Sequence, residues 1–137
     1  MLELNDFDPR LTLIDSAQVF HWKEEKGVFS AVTGGHLVKV EGGIASGADD
    51  DFLREYFDCT RDYGALKARF DEFPAVKRAL LRLTGLRVLN QPAWETVVMA
   101  ILTANNNTAR IRSLVLKINE YCGERVGAKR AFPCPRR

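Results

Sequence analysis

The chain has 137 residues, 46% hydrophobic and 28% charged, with a formal net charge of +2. That is the balance of a soluble globular protein able to bury roughly two thirds of its unfolded surface. No apolar run reaches the ~20 residues of a membrane span, and the acidic start Met1-Leu2-Glu3-Leu4-Asn5-Asp6 lacks the basic and apolar regions of a secretory signal. An intracellular protein, in the cytoplasm and nucleoid or in a nucleus, with no membrane partner is therefore expected.

Charge is spread unevenly. Residues 1–75 hold 8 basic and 15 acidic side chains, net −7, and residues 76–137 hold 12 and 3, net +9. Either the second half faces a polyanion, or the molecule carries two solvated faces of opposite sign. Cys59, Cys122 and Cys134 are odd in number and form no CxxC pair, and His21 and His36 have no metal-ligand spacing with them. Reduced thiols are expected, and neither a metal nor a cofactor.

The first part of the chain reads as β. Leu11-Thr12-Leu13-Ile14 alternates and is rich in β-formers, and Val19-Phe20-His21-Trp22-Lys23 predicts a second strand, with His21 a packed or half-exposed strand residue. Glu24 to Gly27 predicts a turn. Val28–Thr33 and His36–Glu41 flank Gly34-Gly35, a two-residue loop of the kind that closes an antiparallel hairpin. Gly42 to Gly47 reads as a flexible connection.

The remainder reads as helix. Asp49-Asp50-Asp51 places a cap and negative charge at a helix start, with Phe52, Leu53, Tyr56 and Phe57 on its apolar face. Asp62 caps the next segment, with Tyr63, Leu66 and Phe70 expected inside. Pro74 suits a first helical turn, Val76, Leu80 and Leu83 share one face, Lys77, Arg78 and Arg82 lie outside it, and Gly85 stops the helix. Trp94 to Ala104 is apolar almost all round, the mark of a helix enclosed by other elements. The strands and helices above do not supply that cover, so a missing C-terminal helical layer is expected. Asn107 is a fitting N-cap for a helix carrying Ile111, Leu114, Val115, Ile118 and Tyr121 at helical spacing, ended by Gly123, with Arg110, Arg112 and Lys117 towards its polar side. From Glu124 onward the chain is basic, poor in pattern, and punctuated by Pro133 and Pro135.

The most informative stretch is the step from Val97-Val98-Met99-Ala100-Ile101-Leu102 into Asn105-Asn106-Asn107, with Arg110 one turn further on. Two readings are open. The Asn triplet forms a turn and a cap and nothing more. Alternatively, a polar elbow between two packed helices presents amides and a guanidinium, groups that pair with base edges and phosphates.

Taken together, several segments resemble the 8-oxoguanine DNA glycosylase/lyase family of the helix-hairpin-helix superfamily. Leu13-Ile14-Asp15-Ser16-Ala17-Gln18-Val19-Phe20-His21-Trp22 is similar to that family's first pocket-forming region, usually Ser-Gly-Gln followed by Phe-Arg-Trp. Tyr56-Phe57-Asp58 and Arg61-Asp62-Tyr63 are similar to its strand-to-helix transition, and Gly85 to Glu95 resembles the entry to its helical domain. Thr103-Ala104-Asn105-Asn106-Asn107-Thr108-Ala109-Arg110-Ile111 is the sharpest match, and Ala131-Phe132-Pro133 resembles a segment before the next helix. The resemblance covers nearly all of this chain but less than half of a family enzyme.

The resemblance implies an α+β fold: an N-terminal antiparallel sheet with packed helices over residues 1–89, then residues 90–137 as the first helices of an all-helical glycosylase domain, stopping before the hairpin. It implies base-excision repair of oxidised guanine, with double-stranded DNA containing 8-oxoguanine opposite cytosine as partner. Asn105 and Arg110 would enter the duplex and contact the cytosine left behind by the flipped base, offsetting an unstacking cost of a few kcal/mol. The implied DNA-binding set is Asn105, Asn106, Asn107, Arg110 and Arg112, and the implied lesion pocket is Ala17, Gln18 and Phe20. Ala17 stands where the family has a Gly whose carbonyl reads the extra N–H of the oxidised guanine, and His21 stands where it has Arg. The family's Lys nucleophile and assisting Asp lie in and after a hairpin that these residues lack, and Lys117 and Lys129 read as solvated. No catalytic residue is therefore expected in this chain, which alone should be inactive as a glycosylase or abasic-site lyase. A non-catalytic DNA-binding remnant, or a structural half with a separately encoded C-terminal partner, are the competing readings.

Overall fold

The structure, a computed structural model, describes residues 1–134; Pro135, with Arg136 and Arg137, lies outside the described residues. It is an α+β fold. Seven strands and five α-helices follow in chain order: β1 Leu2–Glu3, β2 Lys23–Glu25, β3 Val28–Thr33, β4 His36–Glu41, β5 Ile44–Ser46, α1 Asp50–Tyr56, α2 Tyr63–Ala68, α3 Pro74–Arg82, α4 Ala93–Thr103, α5 Thr108–Cys122, β6 Arg125–Val126 and β7 Lys129–Arg130. The first five strands form one antiparallel sheet in the order β1-β5-β4-β3-β2, and β6 pairs with β7.

The predicted β3–β4 hairpin is present, closed at Gly34-Gly35, with Phe29 opposite Val40 and Ala31 opposite Val38. Alternation sends Phe29, Ala31, Val38, Val40 and Ala45 to one face, where they meet Leu53, Tyr56 and Phe57 of α1 and its end. Asp49 caps α1 and Asp62 caps α2 through their side-chain oxygens. The other face of β3 is covered too. Ser30 and Val32 are buried there, and Lys129 of β7 donates to the Ser30 carbonyl (3.1 Å) and hydroxyl (2.6 Å).

Several expectations are corrected. Leu11-Thr12-Leu13-Ile14 is not a strand but part of a π-helical turn, Leu11–Asp15. The reason lies just upstream: Asp8 accepts from the Leu11 N–H (2.8 Å), an Asp-Pro start that β-propensity alone overlooks. Val19 to Trp22 is irregular, because its side chains serve different cores: Val19 and Trp22 the sheet core, Phe20 a second cluster. Gly42-Gly43 is a tight turn leading into β5 rather than a loose connection, and Leu2–Glu3 adds an edge strand beside it. The patternless segment after Glu124 forms the β6–β7 hairpin.

The helices also pack less completely than their patterns suggest. Tyr63 is buried, but Leu66, Phe70, Val76 and Leu83 are exposed, as is Tyr121 near the end of α5. On α4 only Glu95 and Met99 are buried, while Trp94, Val97 and Ile101 are 44%, 53% and 68% exposed. A helix apolar all round needs neighbours on all sides, and among the described residues α4 has them on one. Its partner is α5. Met99, Ile111 and Val115 form with Phe20 and Phe132 a second core cluster, separate from that of the sheet.

Candidate nucleic-acid interface

The elbow between α4 and α5 gives each Asn a different task. Ala104 turns extended and ends α4. Asn106 folds its amide back, donating to the carbonyls of Leu102 (2.9 Å) and Ala104 (3.1 Å), so it satisfies acceptors that a helix end leaves open. Asn107 caps α5, its side-chain oxygen accepting from the Arg110 N–H (2.9 Å). Asn105 sits between them at φ +56, a left-handed backbone that Asn tolerates better than most residues. Its side chain is exposed and makes no hydrogen bond among the described residues.

Arg110 is likewise exposed, and its guanidinium has no hydrogen-bond or salt-bridge partner among the described residues. It stands in the first turn of a 15-residue helix with no acidic residue in that turn. The positive end of the α5 dipole and the guanidinium therefore add, making the elbow attractive to an anion. Arg112 is used differently: its Nη2 donates to the Ile14 carbonyl (2.6 Å). That bond ties α5 to the π-helical turn, three residues before Ala17.

Ala17 is exposed and holds φ +56, the left-handed region usually given to glycine. Gln18 fixes the turn that displays it. Its side chain donates to the Arg87 carbonyl (2.8 Å) and accepts from the Leu89 N–H (3.0 Å), while its carbonyl accepts from Gln91 (3.0 Å). Phe20 is buried in the second core cluster. The structure thus brings the two candidate segments together and divides their members. Asn105, Arg110 and Ala17 face out, whereas Asn106, Asn107, Arg112, Gln18 and Phe20 hold the frame.

Two buried charged residues of that frame were missed by sequence reasoning. The Arg87 guanidinium donates to the carbonyls of Asp58 (2.9 Å), Asn5 (2.7 Å) and Asp6 (3.2 Å) and lies 4.8 Å from the Tyr63 ring centroid. It thereby pins the 87–91 strap that Gln18 grips. Glu95, on α4, accepts from Thr33 (3.0 Å) and the Gly34 N–H (3.0 Å), joining the helical pair to the hairpin. Burial pushes its carboxyl up, against the lowering effect of those two bonds. A lone acid in an apolar helix and a lone Arg in Gly85-Leu86-Arg87-Val88-Leu89 were the available signals.

A small sheet with capped helices thus leads to a polar elbow at the start of α5. Residues 1–97 match the family model of the 8-oxoguanine DNA glycosylase N-terminal domain, and the chain belongs to that family. Among solved structures it resembles MBOgg1 in complex with a low-affinity DNA ligand, at 29% identity and TM-score 0.87, over 95% of this chain and 49% of that one. It also resembles the Clostridium acetobutylicum 8-oxoguanine glycosylase/lyase in complex with double-stranded DNA containing cytosine opposite 8-oxoG, at 25% identity and TM-score 0.86, over 94% and 49%. The apo-form of that enzyme matches at 25% identity and TM-score 0.85, over 94% and 50%. The chain spans about half the length of these structures. No curated protein matches it.

Proposed function

We propose that this chain takes part in base-excision repair of oxidised guanine, binding duplex DNA that holds 8-oxoguanine opposite cytosine and reading the orphaned cytosine with Asn105 and Arg110. One observation carries the reading: of the side chains at the elbow, these two are exposed and make no hydrogen bond among the described residues, while their neighbours Asn106 and Asn107 each commit a side-chain atom to a helix end. A base vacancy in a duplex needs donors and acceptors that no intramolecular bond already occupies. A solved relative is a complex with DNA carrying cytosine opposite 8-oxoG, which supports the same choice of partner.

The reading assigns the lesion pocket to the Ala17–Gln18 turn, with Ala17 as its exposed member and Gln18 and Phe20 as its support. It places a unit boundary near residues 89–90, supported by the separation of the two core clusters, with Phe20 joining the helical one from the N-terminal side. It assigns no nucleophile to these residues: Lys117 is a surface side chain of α5, and Lys129 is bonded to Ser30. The exposed apolar face of α4 favours a further helical layer as working partner of this half, in the same polypeptide or a separate one.

The test is binding of an 8-oxoguanine:cytosine duplex at low salt, followed by fluorescence anisotropy. Arg110→Ala and Asn105→Ala should each cost about 1–3 kcal/mol on that duplex and erase its advantage over one with adenine opposite the lesion. Equal binding by Arg110→Ala and the parent chain would refute the assignment. Base release by these residues alone would refute the absence of a nucleophile.

A further inference from the structure

Helix α3, Pro74–Arg82, buries none of its residues and carries Lys77, Arg78 and Arg82 without a single acidic side chain. Lys77 is paired with Asp71 (3.1 Å). Arg78 and Arg82 are exposed and make neither a hydrogen bond nor an ion pair among the described residues. Arg82, in the last turn, complements the helix dipole. Arg78 lies a full turn earlier, where that effect has faded. Helical spacing puts Arg78 and Arg82 on one stripe with Ala75 and Ala79, and these four with Leu83 line a cleft of about 440 Å³. Val76 and Leu80 fall on the neighbouring face.

The end of α3 is joined to the elbow helix through a single turn. The Gly85 carbonyl accepts from the Asp8 N–H (2.8 Å) and the Thr12 hydroxyl (3.2 Å). Two residues past Thr12, the Ile14 carbonyl accepts from Arg112 of α5 (2.6 Å). One π-helical turn therefore links α3 to the helix that carries Arg110. Charge agrees with this placement, since the basic excess of residues 76–137 includes both helices.

Two free guanidiniums over a floor of alanine suit a ligand with repeated anions and no bulky apolar anchor. Arginine forks bind phosphate in bidentate fashion. One helical turn separates the pair, about 6 Å along the axis, and two phosphate steps along one strand of a duplex cover about 7 Å. An acidic protein segment offers carboxylates too, but it brings side chains to bury, and only alanine methyls lie between the guanidiniums to receive them.

We propose that the Arg78–Arg82 stripe of α3 is a second contact with duplex DNA, gripping backbone phosphates beside the segment that the elbow enters. The inference rests on the reading of this chain as a DNA binder, but it uses none of the elbow's residues. Phosphates carry no base identity, so the stripe adds affinity for any duplex and no preference for the lesion.

The test measures the duplex affinity of the 137-residue chain against salt, on an 8-oxoguanine:cytosine duplex and on its undamaged guanine:cytosine counterpart. Arg78→Gln combined with Arg82→Gln should reduce the steepness of log affinity against log salt by about 1.8, at ~0.9 per phosphate contact. The reduction should be equal on both duplexes, with the ratio of their affinities unchanged. Lys39→Gln, which removes an exposed cation of β4, should leave the slope as it is. Glutamine is close to arginine in helix propensity, and superimposable melting curves will show the fold kept. An unchanged slope in the double variant, an equal reduction in Lys39→Gln, or a loss confined to the lesion duplex would overturn the proposal. Capture of an oligoglutamate peptide by the two arginines, with the DNA slope unmoved, would make the stripe an acidic-protein surface instead. Failure of the elbow reads differently: Arg110→Ala would leave lesion-duplex binding unchanged while the double variant still flattens the slope.

Discussion

Ala17 occupies a backbone angle, φ +56, that costs a residue with a Cβ roughly 1–2 kcal/mol. Glycine would be unstrained there but would gain entropy in the unfolded chain. The strain relief outweighs that gain, so Ala17→Gly should raise stability by about 0.5–1 kcal/mol in chemical denaturation. His21 is the second residue with an outcome of its own. Burial lowers its pKa from 6.5 to about 4. Between those values the unfolded chain takes up a proton that the folded chain refuses. Stability is therefore full above pH 6.5 and falls as pH drops towards about 4, by ~3 kcal/mol in all. Denaturation curves across that range should show the loss, and His21→Phe should remove it.

At the scale of elements, the elbow works because each helix end is closed by a different Asn, freeing the third. Its position relative to the sheet depends on Glu95, which bonds α4 to the β3–β4 turn. Burial raises the Glu95 carboxyl above its ordinary range. A raised acid favours the folded state while protonated. That contribution is fully present below the ordinary Glu pKa and is lost as pH rises through the raised folded value. Glu95→Gln should abolish this part of the pH dependence, seen as a flatter plot of Tm against pH from mildly acidic to neutral conditions, at a cost of about 1 kcal/mol for the bond that one amide cannot replace. The ends of these elements were legible because capping is local. Asp49, Asp62 and Asn107 each bond an N–H three residues on. The π-helical turn was not legible, since β-forming side chains at Leu11 to Ile14 outweigh, in a propensity reading, the cap that Asp8 supplies.

Across the whole molecule, two cores meet where Phe20 leaves the sheet segment for the helical pair. The outward face of α4, with Trp94, Val97 and Ile101, leaves a run of apolar side chains exposed among the described residues. Val97→Ser and Ile101→Ser together should change unfolding free energy, measured by chemical denaturation, by about 0.5 kcal/mol or less per site, as for surface positions. A large loss of stability would mean that the face is buried within this chain.

The sequence by itself determined the β3–β4 hairpin, the five helices, the N-caps of α1, α2 and α5 and the residue types at the elbow, because each depends on neighbours within a few positions. It also carried the family, through short segments in a fixed order. Only the tertiary structure decided which side chains remain available. Asn105 and Arg110 face out while Asn106, Asn107 and Arg112 bond the protein's own backbone, and Gln18, Arg87 and Glu95 became the frame through partners 62 to 82 residues away. Local pattern fixes what an element is. Long-range hydrogen bonds and burial decide which of its groups are left for a ligand.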